Sequence, residues 1–100
     1  MKIIALSALR EFWEKHPDAE QPLKAWHSEV KAAVWRDMHD IKRAYASASI
    51  LKGNRVVFNI KGNHYRLIAA FWFSAGYVYV KFIGTHAEYD RIDADTVERN

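Results

Sequence analysis

The stretch GTHAEYDRIDA, Gly84 to Ala94, places Tyr89 and Asp90 three and four residues after His86, directly behind a run of strand-forming residues. On a helix that spacing puts all three side chains on one face. An imidazole can accept or return a proton, a phenol can donate to a phosphate oxygen or stack on a base, and a carboxylate can orient the imidazole. Thr85 and Glu88 give the same stretch a structural reason, because T-x-x-E is a capping box that starts a helix at His86. The two readings are compatible: a helix start also presents unsatisfied N–H groups that suit an anion.

The charge distribution indicates which anion. From Ile41 to Ala87 the chain carries no Asp or Glu, while Lys42, Arg43, Lys52, Arg55, Lys61, Arg66 and Lys81 all fall in that window. A basic segment with aromatics interleaved is the footprint of a polyanion-binding surface, although lysines and arginines guarding a sheet edge leave the same trace. Metal-free RNA cleavage fits the side chains present. A 2′-hydroxyl must lose a proton, the five-coordinate phosphorus dianion must be stabilised, and the leaving 5′-oxygen must gain a proton. His86 can carry a proton, Arg66 can fork onto two phosphate oxygens, and Lys61 adds a mobile point charge. Asn59 and Lys61 should lie beside His64 and Arg66 across a hairpin. Arg55 and Lys81 extend this expected RNA-binding face, with Asp90 beside it.

Other chemistries lack their residues. Without cysteine there is no disulfide framework, thiolate metal site or cysteine nucleophile. The histidines show no zinc spacing, and neither a phosphate loop nor a serine elbow is present, so no metal or other cofactor is expected. The tryptophans sit on apolar stripes and read as core. In MKIIALSALREFWEKH, Arg10, Glu11 and Glu14 interrupt the apolar run well short of a signal or membrane span, so a cytoplasmic protein without membrane contact is expected.

One hundred residues suit a single domain over 1–100. Lys2 to Leu6 reads as a strand. A helix then runs to His16, where Pro17 stops it, and Asp18 with Gln21 resembles a capping box for a second helix reaching about Asp37. Met38 to Leu51 reads mainly as loop. Period-two alternation from Arg55 to Lys61, a Gly62-Asn63 turn, a strand over His64 to Phe73 and another over Tyr77 to Ile83 form a meander, followed by a helix over about His86 to Glu98. The expected fold is α+β: a helical hairpin on one face of a small, mainly antiparallel four-stranded sheet, with a short C-terminal helix and the other face left for a ligand.

NIKGNHYRLI, Asn59 to Ile68, followed by KFIGTHAEYDRID, Lys81 to Asp93, resembles the HigB-type toxins of type II toxin–antitoxin systems, within the RelE-like mRNA interferases. The resemblance implies a ribosome-dependent endoribonuclease that cuts translated mRNA, silenced by a cognate HigA-like helix-turn-helix antitoxin. It implies catalytic roles for Arg66, on the strand after the hairpin turn, for His86, after the last strand, and for Tyr89 nearby. The lysine pair that some relatives carry falls here on Val57 and Asn59, and Lys61 substitutes by charge and location. A noncatalytic RNA- or ribosome-binding module using the same basic face is the alternative, and a protein-interaction domain with a basic groove is a third reading.

Overall fold

Val56, Phe58 and Ile60 alternate with Arg55, Val57 and Asn59, and this period of two builds the middle of a five-stranded sheet. The computed structural model describes residues 1–98. Strand β1 (Lys2–Ile4) leads through helix α1 (Leu6–Lys15) and a 3-10 turn (Pro17–Ala19) to α2 (Glu20–Ala32) and α3 (Met38–Ala44). Strands β2 (Ser49–Ile50), β3 (Arg55–Ile60), β4 (Tyr65–Trp72) and β5 (Tyr77–Thr85) follow, and then the short α4 (His86–Tyr89). The sheet order is β1-β5-β4-β3-β2, antiparallel except for the parallel β1–β5 pair. The α+β architecture is the expected one, with one strand more. That strand, β2, lies in the Ala- and Ser-rich stretch read as loop, where Ser49 and Ile50 pair with Val57 and Val56 without any alternating signal of their own.

The helices cover one face. Leu9 and Phe12 of α1 and Leu23, Trp26 and Val30 of α2 are buried in one cluster with Phe58, Leu67 and Phe71 of the sheet. Trp26 meets Phe58 nearly edge-on, with ring centroids 5.4 Å apart. Each such side chain contributes about 1.5–3 kcal/mol by leaving water, which fixes the inner face. On β5 a bulge changes the parity: Val80 pairs with Ala69 but Phe82 pairs with Ile68, so Lys81 is the extra residue. Beyond it Ile83 joins the core, and Gly84 comes to lie opposite Arg66 on the outer face.

Three expectations change. The second helix stops at Ala32, because Asp37 caps a new one, its side chain accepting from the Asp40 N–H at 3.1 Å. Asp18 caps nothing; its carboxylate instead accepts from the Tyr65 hydroxyl and from Lys61 Nζ. The last helix ends at Tyr89 rather than near Glu98. Asp93 turns the chain by taking the Asp95 N–H on its side chain at 3.0 Å and the Val97 N–H on its carbonyl at 2.9 Å.

The segment after α4 then returns over the sheet. Arg55 donates to the carbonyls of Ala94 at 3.3 Å and Val97 at 2.7 Å, and Glu98 pairs with both Arg55 on β3 and Lys81 on β5. A bridge from β3 to β5 must pass over β4, and Val57 and Ile68, which face that side, are buried. The outer face is therefore only partly open, in contrast to the expectation of a free sheet surface.

Candidate active site

The β3–β4 turn organises the open end of the outer face. Ile60 pairs with Tyr65, leaving Lys61 to His64 as a loop. Lys61 and Gly62 both adopt left-handed backbone, φ 53° and 63°, which lets the chain reverse tightly and costs little at glycine but some strain at Lys61. Asp18 secures this loop from the helical side through Lys61, at 2.7 Å, and through the Tyr65 hydroxyl. The Lys61 ammonium, with the Tyr65 hydroxyl helping, holds the Asp18 carboxyl below its ordinary range, and the same contact raises the Tyr65 phenol.

Arg66 is the second residue of β4. Its guanidinium donates to the carbonyls of Asn63 at 3.1 Å and Tyr65 at 3.2 Å and lies 5.9 Å from the centre of the Tyr89 ring. Asn59 and Gly84 are its cross-strand neighbours on either side. Gly84 matters because a Cβ there would stand 2.5 Å from the end of the Phe82 ring. Phe82 in turn meets Tyr89 with ring centroids 6.4 Å apart. The glycine therefore makes room for an aromatic pair that leads to Arg66.

His86 begins α4, and Thr85 and Glu88 complete the expected capping box. The His86 N–H donates to the His64 carbonyl at 3.2 Å, which ties the helix start to the β3–β4 turn. With Thr85 Oγ1 taking the Glu88 N–H at 3.1 Å, the helix start has fewer free N–H groups than an anion site there requires, and four residues generate little dipole. The imidazole itself is about half exposed at 53%, with Nδ1 3.1 Å from Asp90 Oδ2. A carboxylate only accepts, so this contact needs the proton on Nδ1 and leaves Nε2 as the ring nitrogen outside it.

The turn thus brings together Arg66, His86, Tyr89, Asp90, His64 and Asn59. His64 is exposed, with Nδ1 2.9 Å from the Lys61 carbonyl. Lys61 is on the same loop but spends its ammonium on Asp18. Arg55 and Lys81 lie elsewhere, both engaged by Glu98, and the Arg55 side chain is only 11% exposed. Sequence reasoning gave no role in the site to Asn63, Gly84, Phe82 or Asp18, reading Asn63 only as a turn residue and Asp18 only as a helix cap. Gly84, standing between a strand and a T-x-x-E box, carried the clearest signal; the reach of Asp18 to Lys61 crosses 43 positions and has none.

Among the described residues no cluster of three or more His, Asp or Glu could hold a metal ion, and no helix is long and apolar enough to cross a membrane.

Residues 19–92 match the HigB_toxin family, described as the RelE-like toxic component of a toxin-antitoxin system. The chain is 28% identical over 92 residues to the mRNA interferase toxin HigB of Escherichia coli K12, covering 90% of this chain and 88% of that protein. It is equally similar to the mRNA interferase HigB of Shigella flexneri, at 28% identity over the same lengths. The matched span holds the β3–β4 turn, Arg66, the bulged strand and α4, and by it the chain belongs to the HigB family of RelE-like toxic components of toxin-antitoxin systems.

Proposed function

We propose that this chain, acting as one domain, is an endoribonuclease that cuts translated mRNA at the ribosome by acid–base chemistry, in the cytoplasm, and is silenced by a cognate antitoxin of HigA type. The observation that carries the reading is the shared turn: the loop whose Asn63 carbonyl holds Arg66 also holds the N–H of His86 through His64. One short loop sets a phosphate-binding fork against a proton-carrying ring.

In the proposed reaction a base removes the 2′-hydroxyl proton, that oxygen attacks phosphorus, and the 5′-oxygen leaves with a proton. His86 exchanges a proton at Nε2, as a base when neutral and as an acid when protonated, with Asp90 orienting the ring through Nδ1. Arg66 neutralises the phosphorane oxygens bidentately. Tyr89 keeps the guanidinium over its ring and offers its hydroxyl or its face to the RNA. Asn59 and His64 line the approach, and Lys61 joins them when phosphate competes with Asp18. The names of the similar E. coli and Shigella proteins support mRNA as substrate.

Induction in a bacterium tests the proposal. The wild type should arrest growth and leave new 5′ ends at codon positions of translated mRNA by primer extension, and His86→Ala and Arg66→Ala should abolish both. Arrest without new ends would instead favour the noncatalytic ribosome-binding module.

A further inference from the structure

Trp72 closes β4 with 54% of its surface exposed, although the tryptophans read as core from their apolar stripes and Trp26 is indeed buried. Register explains its place. Trp72 pairs with Tyr77, and Ala70 pairs with both Tyr79 and Arg55, so these side chains lie on the outer face that also carries Arg66. The ring centroids of Trp72 and Tyr77 are 6.0 Å apart, and those of Tyr77 and Tyr79 are 6.3 Å apart. Neither tyrosine is buried. One exposed aromatic side chain is ordinary, but three in a contiguous row form an apolar patch that a ligand gains by covering.

The row continues toward the candidate site. Lys81 places its ammonium 5.8 Å from the centre of the Tyr79 ring. Beyond the bulge Phe82 meets Tyr89, whose ring centre lies 5.9 Å from the Arg66 guanidinium. Lys2 pairs with Tyr77 from β1 and brings a further cation level with Trp72; it is exposed and, among the described residues, has no ion-pair partner. The strands that carry the row contain no Asp or Glu, and the carboxylate that reaches it, Glu98 on Lys81, comes from outside them.

Rings in a row beside cations suit an unpaired polynucleotide, because every base has a face to stack and every phosphate a charge to meet. Arg66 and Trp72 are the second and last residues of β4. Their separation along the strand is about 20 Å, which a stacked single strand spans in about six nucleotides at about 3.4 Å each. From this row we infer a second RNA-binding site remote from the chemistry: Trp72, Tyr77 and Tyr79 stack unpaired bases of the strand whose scissile phosphate sits at Arg66. Between the two sites Lys81 takes a phosphate in place of Glu98. The inference deepens the proposed nuclease reading, which supplies the RNA; the place of the second site and its need for unpaired bases come from the rings. Stacking of this kind tolerates any base, so the row holds the strand without choosing the codon.

The test measures Kd for two probes of about twelve nucleotides, twice that span. One is a 2′-O-methyl single strand, which lacks the attacking hydroxyl and is not cut; the other is the same strand with abasic sugars throughout. Trp72→Ala and Tyr79→Ala should each raise Kd for the base-bearing strand about five-fold or more, the loss of one stacked base, and Trp72→Phe should restore most of the affinity by keeping a ring. Neither alanine variant should change Kd for the abasic strand by more than about two-fold, since phosphates do not stack. Unchanged affinity for the base-bearing strand in both alanine variants overturns the inference. Equal losses on both strands overturn it as well, because the rings would then serve the fold rather than the bases. So does a Trp72→Ala protein that keeps its RNA affinity and loses the antitoxin, which would mark the row as a protein interface. If the wild type cleaves no translated mRNA while the difference between the strands holds, the nuclease reading fails and the stacking row stands.

Discussion

The main-chain N–H of His86 donates to the carbonyl of His64 across 3.2 Å, so the start of α4 is fastened to the β3–β4 turn. The turn therefore sets the position of His86 by main chain and of Arg66 by the Asn63 carbonyl at 3.1 Å. Disturbing the turn should reduce the proposed cleavage without disturbing the core, provided that Tyr65 is kept, because Asp18, Lys61, Asn63 and His64 are exposed.

Asp18→Asn is the mildest such change. It keeps the shape of the side chain but removes the charge that holds Lys61 at 2.7 Å. Cleavage should fall about ten-fold, through the rate of the chemical step rather than through mRNA affinity, while the melting temperature stays within about 2 °C because exposed ion pairs add little to stability. Single-turnover kinetics and thermal melting check this. A loss confined to KM would point to Lys61 binding RNA directly.

Gly84→Ala should act through Phe82. The new methyl would stand 2.5 Å from the ring end, so Phe82 must shift and take Tyr89 with it, 6.4 Å between centroids. Overpacking of this sort costs about 1–3 kcal/mol. Chemical denaturation should show that loss together with reduced cleavage, and a neutral outcome in both would mean that the Phe82–Tyr89–Arg66 row does not set the site.

The C-terminal segment should detach in acid. Lys81 first, and then Arg55, hold the Glu98 carboxyl below its ordinary range. A carboxyl depressed by folding stabilises fully above the unfolded value, about 4, and the contribution is lost as pH falls through the depressed folded value. Amide exchange at Val57 and Ile68, beneath the segment, should therefore accelerate below about pH 4. In Glu98→Gln exchange there should be fast already at pH 7, and protection unchanged in that variant would contradict the strap role.

In the core, Phe58→Ala should cost about 3–5 kcal/mol, since Phe58 is 1% exposed and meets Trp26, Tyr45 and Phe71. Urea unfolding measures it, and a cost under about 1 kcal/mol would mean that the helices are not held by this cluster.

What could be read in advance followed local rules. Alternation in RVVFNI marked β3, and T-x-x-E marked α4, whose capping box formed as the spacing required. What escaped was set by distant partners. Ser49 and Ile50 become a strand only because Val57 and Val56 offer free edge groups. Asp93 and Arg55 divert the residues after Tyr89 from a helix, and no pattern within that segment announces the diversion. The acid-free window likewise indicated a basic face, but Glu98 lies outside the window and occupies Arg55 and Lys81. Arg66, His86 and Tyr89 stood out because their neighbourhood is built from a hairpin and the strand next to it. Asp18 belongs to that neighbourhood only through the third dimension.

Cleavage of a defined mRNA on a translating ribosome, followed in a single turnover with wild type, His86→Ala and Arg66→Ala, bears most directly on the proposed function. The wild type should produce a 5′ end within the codon in the decoding site. His86→Ala should be slower by about 10²–10⁴-fold and Arg66→Ala by about 10²–10³-fold, with both variants still folded. Cleavage by both variants at the wild-type rate would contradict the site, and absence of cleavage by the wild type would contradict the nuclease itself.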